Sequence, residues 1–439
     1  MQSGFTIVEL LIVIVVIAIL ATVATVVYGG VRSRAIEASM QSDTEDAVAK
    51  IQSDKLKNGT YPANAAAIAN GAGLQASEGN VFTYVLKPYG YCLAVTNPAT
   101  SNAFRVKSID GKILPGNCDV TVSTYAGSGT QGADDGASTV AQFYRPRGVA
   151  VDSKGNVFVV DSSNNRIRKI ATDGTVSTYA GSTSGLTEGN ISVAQFASPN
   201  GIAIDHADNI YVADVANHRI RKITPEGEVS TLAGSTSGFL NGNGSAARFA
   251  SPYGVAVDKS GIVYVADTIN HRIRKITPNG DVTTLAGTGT TGFTNGISTV
   301  ARFASPIGVA VNDSGVVYVA DTSNNRIRVI NTEGVVSTLA GSASGGNVDG
   351  TGTAAQFNNP SGIAVDSAGT VYVTNTWSNR IRAITPEGVV TTIAGGTYGF
   401  ADGTGAEALF NDPYGIAVDS TGNLYIGDYD NHRVRLILQ

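Results

Sequence analysis

The 439-residue chain is poor in the residues from which reactive sites are commonly built: two cysteines, four histidines, two methionines and one tryptophan. Four scattered histidines leave little material for a His-based metal site, and no Cys/His set has metal-ligand spacing. Neither a Walker motif nor a nucleophile elbow occurs. Charged residues make up only 15% of the chain and sum to a net charge of -5, which argues against a generic binder of polyanions. Long apolar runs are scarce too, and the one from Phe5 to Tyr28 stands out for that reason. Glycine, by contrast, is abundant at 52 residues, with 13 prolines scattered through the chain. That composition suits many short strands joined by tight turns.

The apolar run carries one ionisable side chain, Glu9. As a helix it reaches roughly 36 Å, enough to cross a bilayer core. A lone carboxylate costs on the order of 2.5–3.5 kcal/mol at mid-membrane depth and less towards the interface, so Glu9 is a functional candidate. Val31, Ala35, Met40, Ala47, Val48, Ile51 and Leu56 continue one helical face. The pattern predicts a helix from Phe5 to Lys57, weakened at Gly29-Gly30 and stopped near Asn58-Gly59. After an Ala-rich stretch, strand-like runs follow at Val81–Leu86, Tyr91–Thr96 and Phe104–Ile109.

The residues Gly4-Phe5-Thr6-Ile7-Val8-Glu9-Leu10-Leu11 closely resemble the processing and assembly signal of bacterial type IV pilins. The resemblance implies a leader over 1–4, cut after Gly4 by a prepilin peptidase that methylates the new amino terminus at Phe5. It further implies that Glu9 pairs with the terminal amine of a neighbouring subunit. Residues 5–57 are then the pilin helix, with 5–28 in the membrane before assembly and in the filament core afterwards. Residues 58–118 become an α+β pilin domain, the helix lying on a small antiparallel sheet. The implied partners are other subunits, the cytoplasmic membrane and the pilus assembly machinery, and the implied address is a filament at the cell surface. Asn58–Pro62 and the Tyr91-Cys92 to Cys118 loop also look like pilin segments, and the exported location favours one disulfide between Cys92 and Cys118. An uncleaved single-span anchor is the alternative.

From Asp119 onwards the chain repeats itself. Gly148-Val-Ala-Val-Asp152 recurs at Gly201, Gly254, Gly308, Gly362 and Gly415, spacings of 53, 53, 54, 54 and 53 residues. A fixed period of this length signals a repeat architecture. Each unit holds four short apolar runs separated by Gly, Asp and Asn turns, the composition of a β-propeller blade. The fourth run has its first copy at Val120–Ala126, ahead of the first full unit, and the chain ends without a fourth run of its own. Over 119–439 the sequence therefore predicts an all-β six-bladed propeller, closed by Val120–Ala126 completing the blade begun at Gly415. Between units, Ala-x-Phe-x-x-Pro places Phe between blades and Pro at the entry to the innermost strand.

Asn217-His218-Arg219-Ile220, with relatives at Asn270–Ile273 and Asn431–Val434, resembles the NHL repeat, as does the Tyr-Val-Ala-Asp before it. That resemblance specifies the fold and leaves activity open, since propellers host unrelated functions. Asp161, Asp214, Asp267, Asp321 and Asp428 stand at the turn between the second and third strands. Because the slot repeats in blade after blade, a turn-closing role outweighs acid–base catalysis, and His218, His271 and His432 fall under the same argument. Arg166, Arg219, Arg272, Arg326, Arg380 and Arg433 each open an Arg-x-Arg pair whose members share one strand face. The twelve arginines form either a basic rim for nucleic acid or structural partners of the repeat aspartates; the acidic net charge favours the second. Asp349 and Asp402 sit in Gly-rich loops, where one carboxylate falls short of the six to eight oxygens of a calcium site.

The sequence thus points to a structural subunit of a type IV pilus-like filament, not an enzyme, with neither metal nor cofactor. It would display a propeller head for adhesion to a surface, glycan or protein ligand. A minor pilin or secretion-system pseudopilin with a tip adhesin, and a lyase-like or nucleic-acid-binding propeller, are the rival readings.

Overall fold

The computed structural model describes residues 35–36, 38–54, 57, 73–77, 80–87, 90–97, 102–107, 113–115 and 120–438. The processing residues Gly4 and Phe5, the assembly residue Glu9, the apolar run 5–28 and Cys118 lie outside them, as does the Cys92 side chain. Among the described residues no helix is long and apolar enough to cross a membrane. The chain divides into two compact units, Met1–Cys118 and Asp119–Gln439.

In the first unit residues 38–54 are helical. Met40, Ala47 and Ile51 are buried on one face of that helix, and Ala47 and Ile51 pack with Leu93 of the sheet. Asp43 ties the helix to the next segment by accepting from the Ser77 backbone N–H at 2.8 Å, the Ser77 hydroxyl at 2.7 Å and Asn80 Nδ2 at 2.7 Å. The sheet is antiparallel in chain order: Val81–Lys87, Gly90–Asn97, Asn102–Lys107 and Ile113–Pro115. The third strand begins earlier than its apolar pattern indicated. The fourth strand, of three residues, is too short to show a period in the sequence.

The second unit is six antiparallel sheets of five strands each. In the first blade Pro146–Val151, Val157–Asp161, Arg166–Ile170 and Thr175–Gly181 run from the inside out. A fifth strand of two residues, Gly136–Ala137, pairs on the outer edge although it precedes the inner strand in the chain. Each blade repeats this detour, so the expectation of four strands is corrected to five. The added pair shields an edge that would otherwise offer a row of unpaired backbone groups. Five of the six second strands are buried along their whole length, as Val-Tyr-Val-Ala-Asp at Val263–Asp267 illustrates, and in the sixth, Val317–Asp321, only Tyr318 is half-buried. Phe196, fully buried, packs against Phe158 and Val160 of one blade and Ile210 and Val212 of the next, which makes the repeated Phe an inter-blade residue.

The ring closes where the sequence placed its closure. Thr121–Ala126 inserts between Arg433–Leu438 and Gly403–Thr404, with Val122 opposite Ile437 and Ala126 opposite Val434. The last blade is therefore built from both ends of the propeller.

Candidate functional site

In a sixfold repeat, side chains that recur in every blade serve the scaffold, and a single functional site must be sought where the blades differ. The recurring aspartates come first. Asp161, Asp214, Asp267, Asp321 and Asp428 are fully buried at the ends of their second strands. Asp267 is typical: it accepts from the Ala250 backbone N–H at 2.8 Å, Asn270 Nδ2 at 2.8 Å and Arg274 Nη1 at 2.7 Å. Burial pushes all five carboxyls above the usual carboxylate range, Asp428 to about 6, against the pull of their donors.

The arginine that meets each aspartate is the second of the Arg-x-Arg pair, not the first. Arg168, Arg221, Arg274, Arg328, Arg382 and Arg435 have no exposed surface, so half of the imagined basic rim is core. The first arginines are half-buried and bond to backbone carbonyls: Arg219 to Asn217 at 2.8 Å, Arg326 to Asn324 at 2.9 Å and Arg272 to Thr288 at 2.6 Å. Arg433 bonds to the Ser128 carbonyl at 2.8 Å, and Arg166 reaches Ala133 at 3.4 Å. Arg380 opens its strand opposite Gly395. Asp349 and Asp402, weighed above as calcium ligands, are held by Arg382 at 2.6 Å and Arg435 at 2.7 Å.

The Asn/His slot between them joins one blade to the next. Asn165, His218, His271, Asn325, Asn379 and His432 are all in the left-handed region, with φ from 51° to 56°. Each accepts, through Oδ1 or Nδ1, the backbone N–H of the residue that precedes the entry proline of the following blade, at 2.8–3.3 Å. An accepting Nδ1 requires a neutral imidazole protonated at Nε2. Burial lowers the pKa of all three histidines, which favours that form.

Around the central channel stands a ring of glycines, Gly148, Gly201, Gly254, Gly308, Gly362 and Gly415. At each, a Cβ would fall on the carbonyl oxygen of the next blade. Immediately before them lies the position where the blades part company: Arg147, Asn200, Tyr253, Ile307, Ser361 and Tyr414. Asn200, Ile307, Ser361 and Tyr414 line an axial cavity of about 60 Å³, floored by the glycine ring and by Val149, Ile202 and their counterparts. Arg147 is not among the lining residues but packs against one of them, Tyr414. Its guanidinium lies 4.8 Å from the Tyr414 ring and 5.0 Å from the Tyr429 ring, and its Nη2 donates to the Tyr429 hydroxyl at 3.2 Å. Burial opposes the Arg147 charge, but the neighbouring Tyr414 and Tyr429 oxygens hold its pKa above the usual value. Burial also pushes the Tyr414 hydroxyl up to about 12.

The divergence is concentrated where the last blade meets the first. Tyr429 replaces the Thr that in three other blades (Thr268, Thr322, Thr376) bonds to a proline carbonyl of the next. Gly427 has no room for a Cβ because the Arg147 and Pro146 carbonyls approach it. Arg145, at φ 58°, pairs with Asp430 at 3.2 Å and lies over the Tyr429 ring at 5.1 Å. Burial, then the Asp430 charge, raises the pKa of Asp412 beside it. Inspection of the repeats for recurring residues passes over this site. The signal that finds it is the non-repeating residue between Pro and Gly in otherwise matching inner strands.

Comparison with known proteins finds NHL repeats and an N-terminal methylation motif in the chain. The NHL repeat model matches residues 196–223, 249–276, 303–330, 357–384 and 410–435, and the Teneurin NHL domain model matches 73–190. The prokaryotic N-terminal methylation motif matches 1–25. NHL repeat-containing protein 2 of Bos taurus is 28% identical over 335 residues, 66% of this chain, and the chain spans about half of that relative, 46%. Teneurin-3 of Danio rerio is 31% identical over 282 residues, covering 54% of this chain and 10% of that protein. An auxiliary nutrient binding protein from Bacteroides thetaiotaomicron superposes with a TM-score of 0.57 at 20% identity, over 79% of this chain and 85% of that one, a likeness of fold alone. The chain carries NHL repeats, folded as a six-bladed propeller, behind a prokaryotic N-terminal methylation motif.

Proposed function

We propose that the chain is a subunit of an extracellular type IV pilus-like filament and that the propeller is the head it displays, binding a ligand at the mouth of its channel. The observation that carries the first half is the methylation motif over 1–25, which contains Gly4, Phe5 and Glu9. On this reading prepilin peptidase cuts after Gly4, the apolar run 5–28 leaves the membrane for the filament core, and Glu9 neutralises the Phe5 amine of a neighbour. A membrane-buried carboxylate then acquires a partner, which lowers the cost of holding it there. The second half is supported by the blade differences at Arg147, Asn200, Tyr414 and Tyr429.

The head works as a binder and not as a catalyst. In support, the aspartates and three of the histidines that recur through the blades are engaged in hydrogen bonds that hold the scaffold. Surface glycans and proteins are the classes of partner such a head meets outside the cell. The test is Glu9→Gln in the source cells, followed by electron microscopy of sheared surface material. The expected result is a folded, membrane-retained protein and no filaments; filaments of normal number and length from the mutant refute the assembly reading.

A further inference from the structure

We propose that the channel mouth is a receptor for one carboxylate group on a small ligand, seated between the Arg147 guanidinium and the Asn200 amide. The inference rests on the reading of the head as a binder and is independent of filament assembly. Of the six residues on the divergent ring only Arg147 is charged, and none is an acid. Asn200 is 3% exposed and lines the cavity, yet its Nδ2 has no hydrogen-bond partner. Its one candidate partner is the Tyr414 hydroxyl, whose pKa the contact lowers although it falls outside full hydrogen-bond geometry. A buried donor left unmet is costly, and an acceptor arriving from outside relieves it. The Tyr414 and Tyr429 rings hold the Arg147 guanidinium in place. Tyr414 keeps its proton at neutral pH and adds a hydroxyl donor.

Size and charge narrow the ligand. A cavity of about 60 Å³ admits a group a few atoms across, so the body of the ligand stays at the mouth. One planar guanidinium matches one planar monoanion through two parallel hydrogen bonds, whereas a phosphate dianion would leave its second charge unmatched. An ammonium finds no carboxylate on the ring.

The experiment is isothermal titration of the full chain at pH 7 with glucuronate and lactate as carboxylate probes, and with glucose and inorganic phosphate as comparisons. One saturable site for a carboxylate is expected. Glucuronate binding ahead of lactate identifies an acidic sugar as the source, and the reverse a simple organic acid. Arg147→Gln and Asn200→Asp should each weaken binding roughly 10- to 100-fold. Lys259→Gln, in an exposed turn between the first and second strands of its blade, should not change it. If Arg147→Gln loses its native circular dichroism, Arg147→Lys carries the test, keeping the charge but losing the fork, with an intermediate loss expected. Glucose or phosphate binding as tightly as the carboxylates, unchanged affinity in folded Arg147 and Asn200 variants, or no binding of either carboxylate overturns the proposal. The Glu9→Gln chain should bind as the wild type does, which separates failure here from failure of filament assembly.

Discussion

Each buried arginine of the propeller has a carboxylate within hydrogen-bond distance, but its source varies between blades, and this makes a sharp test. In the third blade Arg274 bonds to Asp267 at 2.7 Å and to Asn241 Oδ1 at 2.7 Å, with the Arg248 and Leu240 carbonyls at 3.1 and 3.0 Å. In the fifth blade the aspartate position is Asn375, and the carboxylate comes from the loop instead, Asp349 at 2.6 Å from Arg382. Asp267→Asn should therefore leave a fully buried cation without any carboxylate. Removing one partner of a buried pair costs about 3–5 kcal/mol. The new amide oxygen can still accept from the Ala250 N–H, which places the expectation near the lower end. At roughly 2 °C per kcal/mol for a domain of this size, the melting midpoint should fall by about 6 °C. Adding Asn241→Asp rebuilds the fifth-blade arrangement and should recover at least half of that loss. Circular dichroism melts of the single and double variants at pH 7 measure both steps. A single variant melting with wild-type stability, or a double variant no better than the single, would refute the account of the pairs.

The inter-blade histidines predict a pH dependence. Their folded pKa values are depressed, so the unfolded chain binds protons first: their contribution is complete above about pH 6.5 and is lost as pH falls below it, towards the folded values. His218→Asn, His271→Asn and His432→Asn together copy Asn165, Asn325 and Asn379, and should flatten stability over that window; an unchanged slope in the triple variant counts against the acceptor role. Gly308→Ala drives a Cβ into the Ser361 carbonyl and should cost roughly 1–3 kcal/mol in urea unfolding, where a neutral result would deny the close approach. Val122→Asp puts an unpaired charge at a 2% exposed position of the closing strand. It should expose the Arg433–Leu438 edge to amide hydrogen exchange before any other blade; uniform exchange through all six would refute closure by that strand.

How much of this was legible follows from what each feature depends on. Period, turn chemistry and the misplaced first copy of the fourth strand are local or countable, so they set six blades and their closure by Val120–Ala126 from the sequence alone. The helical face at Met40, Ala47 and Ile51 was readable for the same reason. The two-residue outer strands were not, because they exist only by pairing with a neighbour far along the chain. Nor does strand alternation say which arginine of a pair is buried: both share a face, and only the stacking of adjacent blades leaves Arg274 in the core and Arg272 nearer the edge. His218 looked like a turn residue until the next blade placed the Ser251 N–H against its Nδ1. The channel mouth depends most on tertiary structure. Arg147 and Tyr414 stand 267 positions apart in the chain, and ring closure is what brings them together, since the physical neighbour of the first blade is the last.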